Sequence, residues 1–121
     1  MTFDDGVLVG FDMGEWGGRL TWTGAEGQTE LIIDDNVIAI EPADGGAMVL
    51  FGYAHMGQTY GYAGYLSKGE YGSWPFKEIA RLPYDAQALA TIGPNLFAAW
   101  SGGRVVIFSD KGVLGLASCT P

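Results

Sequence analysis

The side chains that could do chemistry in this 121-residue chain are few, with a single histidine, His55, and a single cysteine, Cys119. They are far apart in sequence and neither sits in a metal-ligand spacing, so no zinc site is expected, and a Cys-His nucleophile would need the fold to bring the two together. Carboxylates are the richer stock. Asp12 and Glu15 flank a glycine-rich turn beside Trp16, where two carboxyl groups across a cleft could serve a small glycoside hydrolase or lyase. Asp34-Asp35-Asn36 and Asp44 could offer oxygens to calcium, but the ligand spacing of a calcium loop is missing, and Asp and Asn at such places ordinarily bond nearby backbone N–H groups in turns. No glycine run opens a helix, so no phosphate cradle is expected. No cofactor and no metal is implied.

Six Lys plus Arg stand against fourteen Asp plus Glu, a formal charge of −8. Cationic clusters are what bind nucleic-acid phosphate or an anionic membrane, so both partners are disfavoured. With 48% hydrophobic and 13% aromatic residues the chain is no solvating acidic segment. Scaling by mass lets a single domain spanning 1–121 bury about two-thirds of its surface. Met1–Asp5 lacks the features of a secretory signal and no apolar stretch nears the roughly 20 residues of a membrane span, so a cytoplasmic address is the default expectation.

Twenty glycines separate short apolar runs, while no long window keeps a 3.6-residue apolar period. The chain therefore reads as all-β. Eleven strands are expected, at Val7–Asp12, Arg19–Trp22, Thr29–Ile33, Val37–Ile40, Ala47–Ala54, Thr59–Leu66, Phe76–Leu82, Ala86–Ile92, Leu96–Trp100, Arg104–Ser109 and Val113–Ser118. Only Pro83–Ala90 offers a competing helical turn, being rich in alanine and leucine without β-branched residues. Glycine pairs suit hairpin turns of positive φ, and Gly10, Gly52, Gly61 and Gly64 inside strands mark bulges or close backbone approach.

Repetition organises the strands. Gly17-Gly18-Arg19-Leu20 returns as Gly102-Gly103-Arg104-Val105, with Gly57-Gln58-Thr59-Tyr60 in the equivalent place between them. Matching Val7, Met48 and Leu96 gives periods of about 41 and 48 residues, hence modules at about 7–46, 47–95 and 96–118. Four strands per period is the pattern of a β-propeller blade, with a β-sandwich or barrel as the alternative fold. Closed rings have about four to eight blades. Roughly three antiparallel four-stranded meanders, the first lacking its inner strand, are thus expected to be completed by homo-oligomerisation, most simply as a dimer.

Gly14-Glu15-Trp16-Gly17-Gly18-Arg19-Leu20 followed by Trp22 resembles a repeat of bacterial β-propeller-like proteins of unassigned function. Gly52-Tyr53-Ala54-His55 and Arg81-Leu82-Pro83 are similar to blade segments of the same group. The resemblance spans residues 6 to 116, about half of a usual ring, and brings no catalytic residues with it. It implies the propeller-like fold and leaves function open. The leading expectation is a non-catalytic binding or assembly module, a half-propeller presenting a loop face with Asp12, Glu15, Trp16, Tyr53, His55 and Trp100 to a protein or carbohydrate ligand. The alternatives are the Asp12/Glu15 hydrolase or lyase and a truncated propeller remnant without independent function.

Overall fold

Ala47-Met48-Val49-Leu50-Phe51 is an unbroken apolar run, and a strand points successive side chains to opposite faces, so the run can be buried only where both faces are covered. All five residues are fully buried. The computed structural model describes residues 1–55 and 58–118, excepting the side chains of Glu15, Ala54, His55, Gln58 and Ser118. Cys119 lies outside the described residues.

Twelve strands form three antiparallel four-stranded sheets, each a meander in chain order. The first holds β1 (Thr2–Phe3), β2 (Gly6–Asp12), β3 (Gly18–Gly24) and β4 (Thr29–Ile33). The second holds β5 (Val37–Ala43), β6 (Gly46–His55), β7 (Gln58–Ser67) and β8 (Phe76–Arg81). The third holds β9 (Ala88–Gly93), β10 (Leu96–Ser101), β11 (Arg104–Ser109) and β12 (Gly112–Ser118). Among the described residues there is no α-helix, only 3-10 turns at Gly14–Trp16 and Glu70–Gly72.

The sheets stack with the second in the middle. From β6, Ala47, Val49 and Phe51 join Leu8, Leu20 and Trp22 of the first sheet in one core. Met48 and Leu50 join Phe97, Ala99, Val106 and Phe108 of the third in another. The chain's accessible surface of 6667 Å² is close to the roughly 6,300 Å² that size scaling gives one domain of this mass. Three sheets therefore share one body.

The eleven expected strands are all present, with ends displaced by three residues at most. The expected absence of an inner strand in the first module is corrected, because Thr2 and Phe3 pair with Val7 and Gly6. Asp4 and Asp5 make that turn at φ 51° and 59°, in the left-handed region that Asp tolerates better than most residues. A strand of two residues carries no alternation for a pattern to reveal. Pro83–Ala90 forms no helix. Its polar groups bond to β10 and the turn after it instead: Tyr84 N–H donates to Ser101 Oγ at 2.9 Å and Gln87 N–H to the Trp100 carbonyl at 2.9 Å.

Two glycine readings carry the geometry. Gly102 and Gly103 have φ of 56° and 79° and join Ser101 directly to Arg104, the paired positive φ of a type I′ hairpin. Gly10 faces Val37 across the first and second sheets, and a Cβ there would lie 2.3 Å from Val37 Cγ1. Its missing side chain sets how closely those sheets approach.

Candidate functional site

In a stack of like meanders, equivalent turns fall at the same end. The β2–β3 and β10–β11 turns share one end with the crossovers at 34–36 and 82–87, and contacts between them follow from that placement. Asn36, 2% exposed, is the clamp: its Nδ2 donates to the Gly14 carbonyl at 3.0 Å, and its Oδ1 accepts from Met13 N–H at 3.3 Å. It fixes the turn after β2 against the start of the second sheet. Gly18 allows this, since a Cβ there would sit 2.6 Å from Asn36 Cα.

A cleft of about 390 Å³ opens beside the clamp, between the first and second sheets. Gly14, Gly17 and Gly18 form one wall, Asp34, Asp35 and Asn36 the floor, and Tyr53, Thr59 and Tyr60 the other wall. Tyr53 and Tyr60 are direct cross-strand partners on β6 and β7, and their rings stack with centroids 5.7 Å apart. Tyr62 continues the stack 6.2 Å from Tyr60, and Phe51 lies 4.9 Å from Tyr62 in the buried core. An aromatic ladder thus climbs from core to cleft.

Asp35 is held from three sides. Its Oδ1 accepts from its neighbour's backbone, Asn36 N–H, at 2.8 Å and from the Tyr60 hydroxyl. Its Oδ2 accepts from the Tyr62 hydroxyl at 2.5 Å. Both phenols are pushed well above their usual range, first by desolvation and then by the bond to Asp35 and its negative charge. They stay protonated as donors and are unsuited to act as bases near neutral pH.

Of the residues expected at a loop face, Asp12 and Tyr53 come together in an adjoining hollow of about 180 Å³ with Ile38, Asp85 and Ala86. Asp12 Oδ1 accepts from Gly14 N–H at 3.0 Å, the role of a turn former. Trp16 is 83% exposed on the 3-10 turn, above a shallow depression it shares with Met13, Arg19, Leu31 and Asp34. Trp100 is not brought to the cleft; it pairs with Val105 and Ala88 in the third sheet. The side chains of Glu15 and His55 lie outside the described residues, and by backbone His55 ends β6.

The sequence marks Asp34-Asp35-Asn36 as a turn whose oxygens could also serve calcium, and does not single out Tyr60, Tyr62 or Asp85. The signal was present in the alternation Tyr60-Gly61-Tyr62, which sets both phenols on one face of a strand. No group of three or more His, Cys, Asp or Glu among the described residues is placed to hold a metal ion. No helix among them is long and apolar enough to cross a membrane. No protein-family profile matches the chain, no curated protein matches it in sequence, and no solved structure matches its fold.

Proposed function

We propose that the chain is a non-catalytic assembly and binding module, a half-ring of three blade-like sheets that two copies close into a ring of six, presenting the cleft end to a ligand. The observation that carries this reading is the asymmetry between the middle sheet and its neighbours. The second sheet gives a face to each of the two cores, whereas the first and third each give one. In the third sheet the positions alternating with buried Phe97, Ala99 and Val106 are buried Ala98 and half-buried Trp100, Val105 and Ile107, an apolar face over which no other sheet of the described residues packs. In the first sheet the corresponding face carries Val7, Val9, Phe11 and Leu31, with Val7 at 42% and Leu31 at 62% exposure.

Within the chain, sheets solve this problem by stacking, first on second and third on second. A second copy would repeat the solution, its first sheet covering the third sheet of its partner and the reverse, which is a closed two-fold arrangement. Six is an allowed blade number. β12, the end strand of its sheet, carries Val113, Leu114 and Leu116 at 53%, 66% and 57% exposure, a liability for aggregation.

Sedimentation equilibrium at micromolar concentration tests the reading. The expected mass is twice the 12.9 kDa of the chain, falling to a monomer or to aggregates in Ile107→Glu, which places a charge on the third sheet's free face. A stable monomeric wild type refutes assembly.

A further inference from the structure

The cleft between the first and second sheets has a chemical bias that the proposed assembly does not explain. Its groups are mainly acceptors. Asp34 and Asp35 present carboxylates, while two of the donors beside them are engaged, the Tyr60 hydroxyl on Asp35 and the Asn36 amide on the Gly14 carbonyl. Among the described residues the exposed Asp34 carboxylate has neither an ion pair nor a hydrogen bond. A ligand group that faces these carboxylates must donate, and an anion would meet the field of a chain of charge −8.

The aromatic wall narrows the class further. Ring faces attract cations, and the ladder already holds one belonging to the chain: the Arg81 guanidinium lies 4.8 Å from the Tyr62 centroid. Tyr60 and Tyr53 continue the same stack outward into the cleft. The volume of about 390 Å³ falls within the range of small-molecule sites. Ring faces, a fixed carboxylate and an unpaired one thus converge on a space of ligand size.

From this we infer that the cleft binds an organic cation, a guanidinium or alkylammonium group, seated against the Tyr53 and Tyr60 rings and balanced by Asp34. The cation would come from a free small molecule or from a basic side chain of a protein. The site deepens the binding half of the function proposed above, but all its walls belong to one chain, so it stands or falls independently of dimerisation.

The test is a two-dimensional amide NMR titration of the full chain with N-acetyl-arginine amide, tetramethylammonium and, as a neutral control, glucose. Both cations are expected to shift resonances of Asp34–Asn36, Tyr53 and Thr59–Tyr60, with affinity that falls as salt rises, and glucose is expected to shift none of them. Asp34→Asn is expected to weaken binding about two- to fivefold, and Tyr53→Leu by a similar factor through loss of a ring face. Glu26→Gln, the same change of charge at the other end of the sheets, controls for net charge. Tighter binding of an arginine-bearing peptide than of the capped amino acid assigns the cation to a protein; equal binding assigns it to a small molecule. Absence of these shifts at tens of millimolar, an equal response to glucose, or equal weakening by Glu26→Gln and Asp34→Asn overturns the site. Sedimentation mass is read separately, so a monomer that binds refutes assembly alone and a dimer that does not bind refutes the site alone.

Discussion

Replacing Asn36 by alanine isolates the clamp on which the cleft depends. The substitution deletes two hydrogen bonds, to the Gly14 carbonyl at 3.0 Å and from Met13 N–H at 3.3 Å, each worth about 0.5–1.5 kcal/mol. It leaves two others untouched, because Asn36 N–H to Asp35 and Gly52 N–H to the Asn36 carbonyl use backbone atoms of residue 36. Met13 and Gly14 are exposed and can be rehydrated, which holds the cost toward the lower end, while the buried amide leaves a small void. The expected loss is about 2 kcal/mol. For a domain of this length, at about 2.1 cal/mol/K of unfolding entropy per residue, that lowers Tm by roughly 8 °C. Urea unfolding followed by far-ultraviolet circular dichroism gives the free energy, and hydrogen exchange should show the Met13 amide opening faster. Asn36→Asp keeps the acceptor for Met13 but turns a carboxylate oxygen toward the Gly14 carbonyl, so near neutral pH it should cost at least as much. A loss below about 0.5 kcal/mol for Asn36→Ala would falsify the clamp.

Other consequences are as direct. Since the Tyr60 and Tyr62 phenols are raised in the folded state, folding holds their protons more tightly than the unfolded chain does. Their contribution is fully present below about pH 10 and is lost as pH climbs toward the folded values, so urea midpoints should decline above that pH, and less steeply in the Tyr60→Phe/Tyr62→Phe double variant; equal slopes refute the linkage. Lys68 Nζ lies 4.9 Å from the Trp22 ring and 4.2 Å from the Trp74 ring, joining the first sheet to the loop after β7. Lys68→Met should cost about 1 kcal/mol and alter tryptophan emission, and an unchanged spectrum speaks against the contact. Phe51→Ala, which empties a fully buried site at the foot of the ladder, should destabilise by about 3–5 kcal/mol in the same urea assay. A cost under about 1 kcal/mol contradicts its placement.

Strand positions were legible because each strand is a short apolar run between turn residues, and burial on one or both faces leaves that mark whatever the neighbours are. The glycines were legible for a related reason. Gly10 and Gly52 interrupt apolar strands that would otherwise gain from a side chain, and each proves to face a neighbour too close for one: an added Cβ would lie 2.3 Å from Val37 Cγ1 at Gly10 and 2.7 Å from Ala86 Cβ at Gly52. The site was less legible. A cleft is made by pairs such as Asp35 with Tyr62 and Asn36 with Gly14, which lie 27 and 22 positions apart, and no local spacing encodes them. Trp16 could be read as exposed because a glycine-rich turn gives a large ring little to pack on. Trp100 could not be separated from the loop face, since the end of a strand in sequence does not say which face its side chain takes.

Where one sheet gives way to the next is the finest point of difference. Sequence matching begins its modules at Val7, Met48 and Leu96, whereas the sheets change at 34–36 and 82–87, one strand earlier. A repeat fixes a period but not a phase, because any of four strands can be counted first. The phase is decided by hydrogen bonding, and the deciding signal is in the turns. Asp44-Gly45 and Pro94-Asn95 close tight hairpins, with Gly45 at φ 74° and Asn95 at φ 52°, so the strands flanking them must pair within one sheet. Asp34-Asp35-Asn36 and Leu82–Gln87 contain no glycine and no described residue of positive φ. A connection without that reversal carries the chain onward to the adjacent sheet. It is at these crossovers that Asn36 meets the turn after β2, that Ala86 packs on Gly52, and that the carboxylates of Asp34 and Asp35 are delivered to the cleft. The segments that set the phase of the repeat are therefore the segments that build the site.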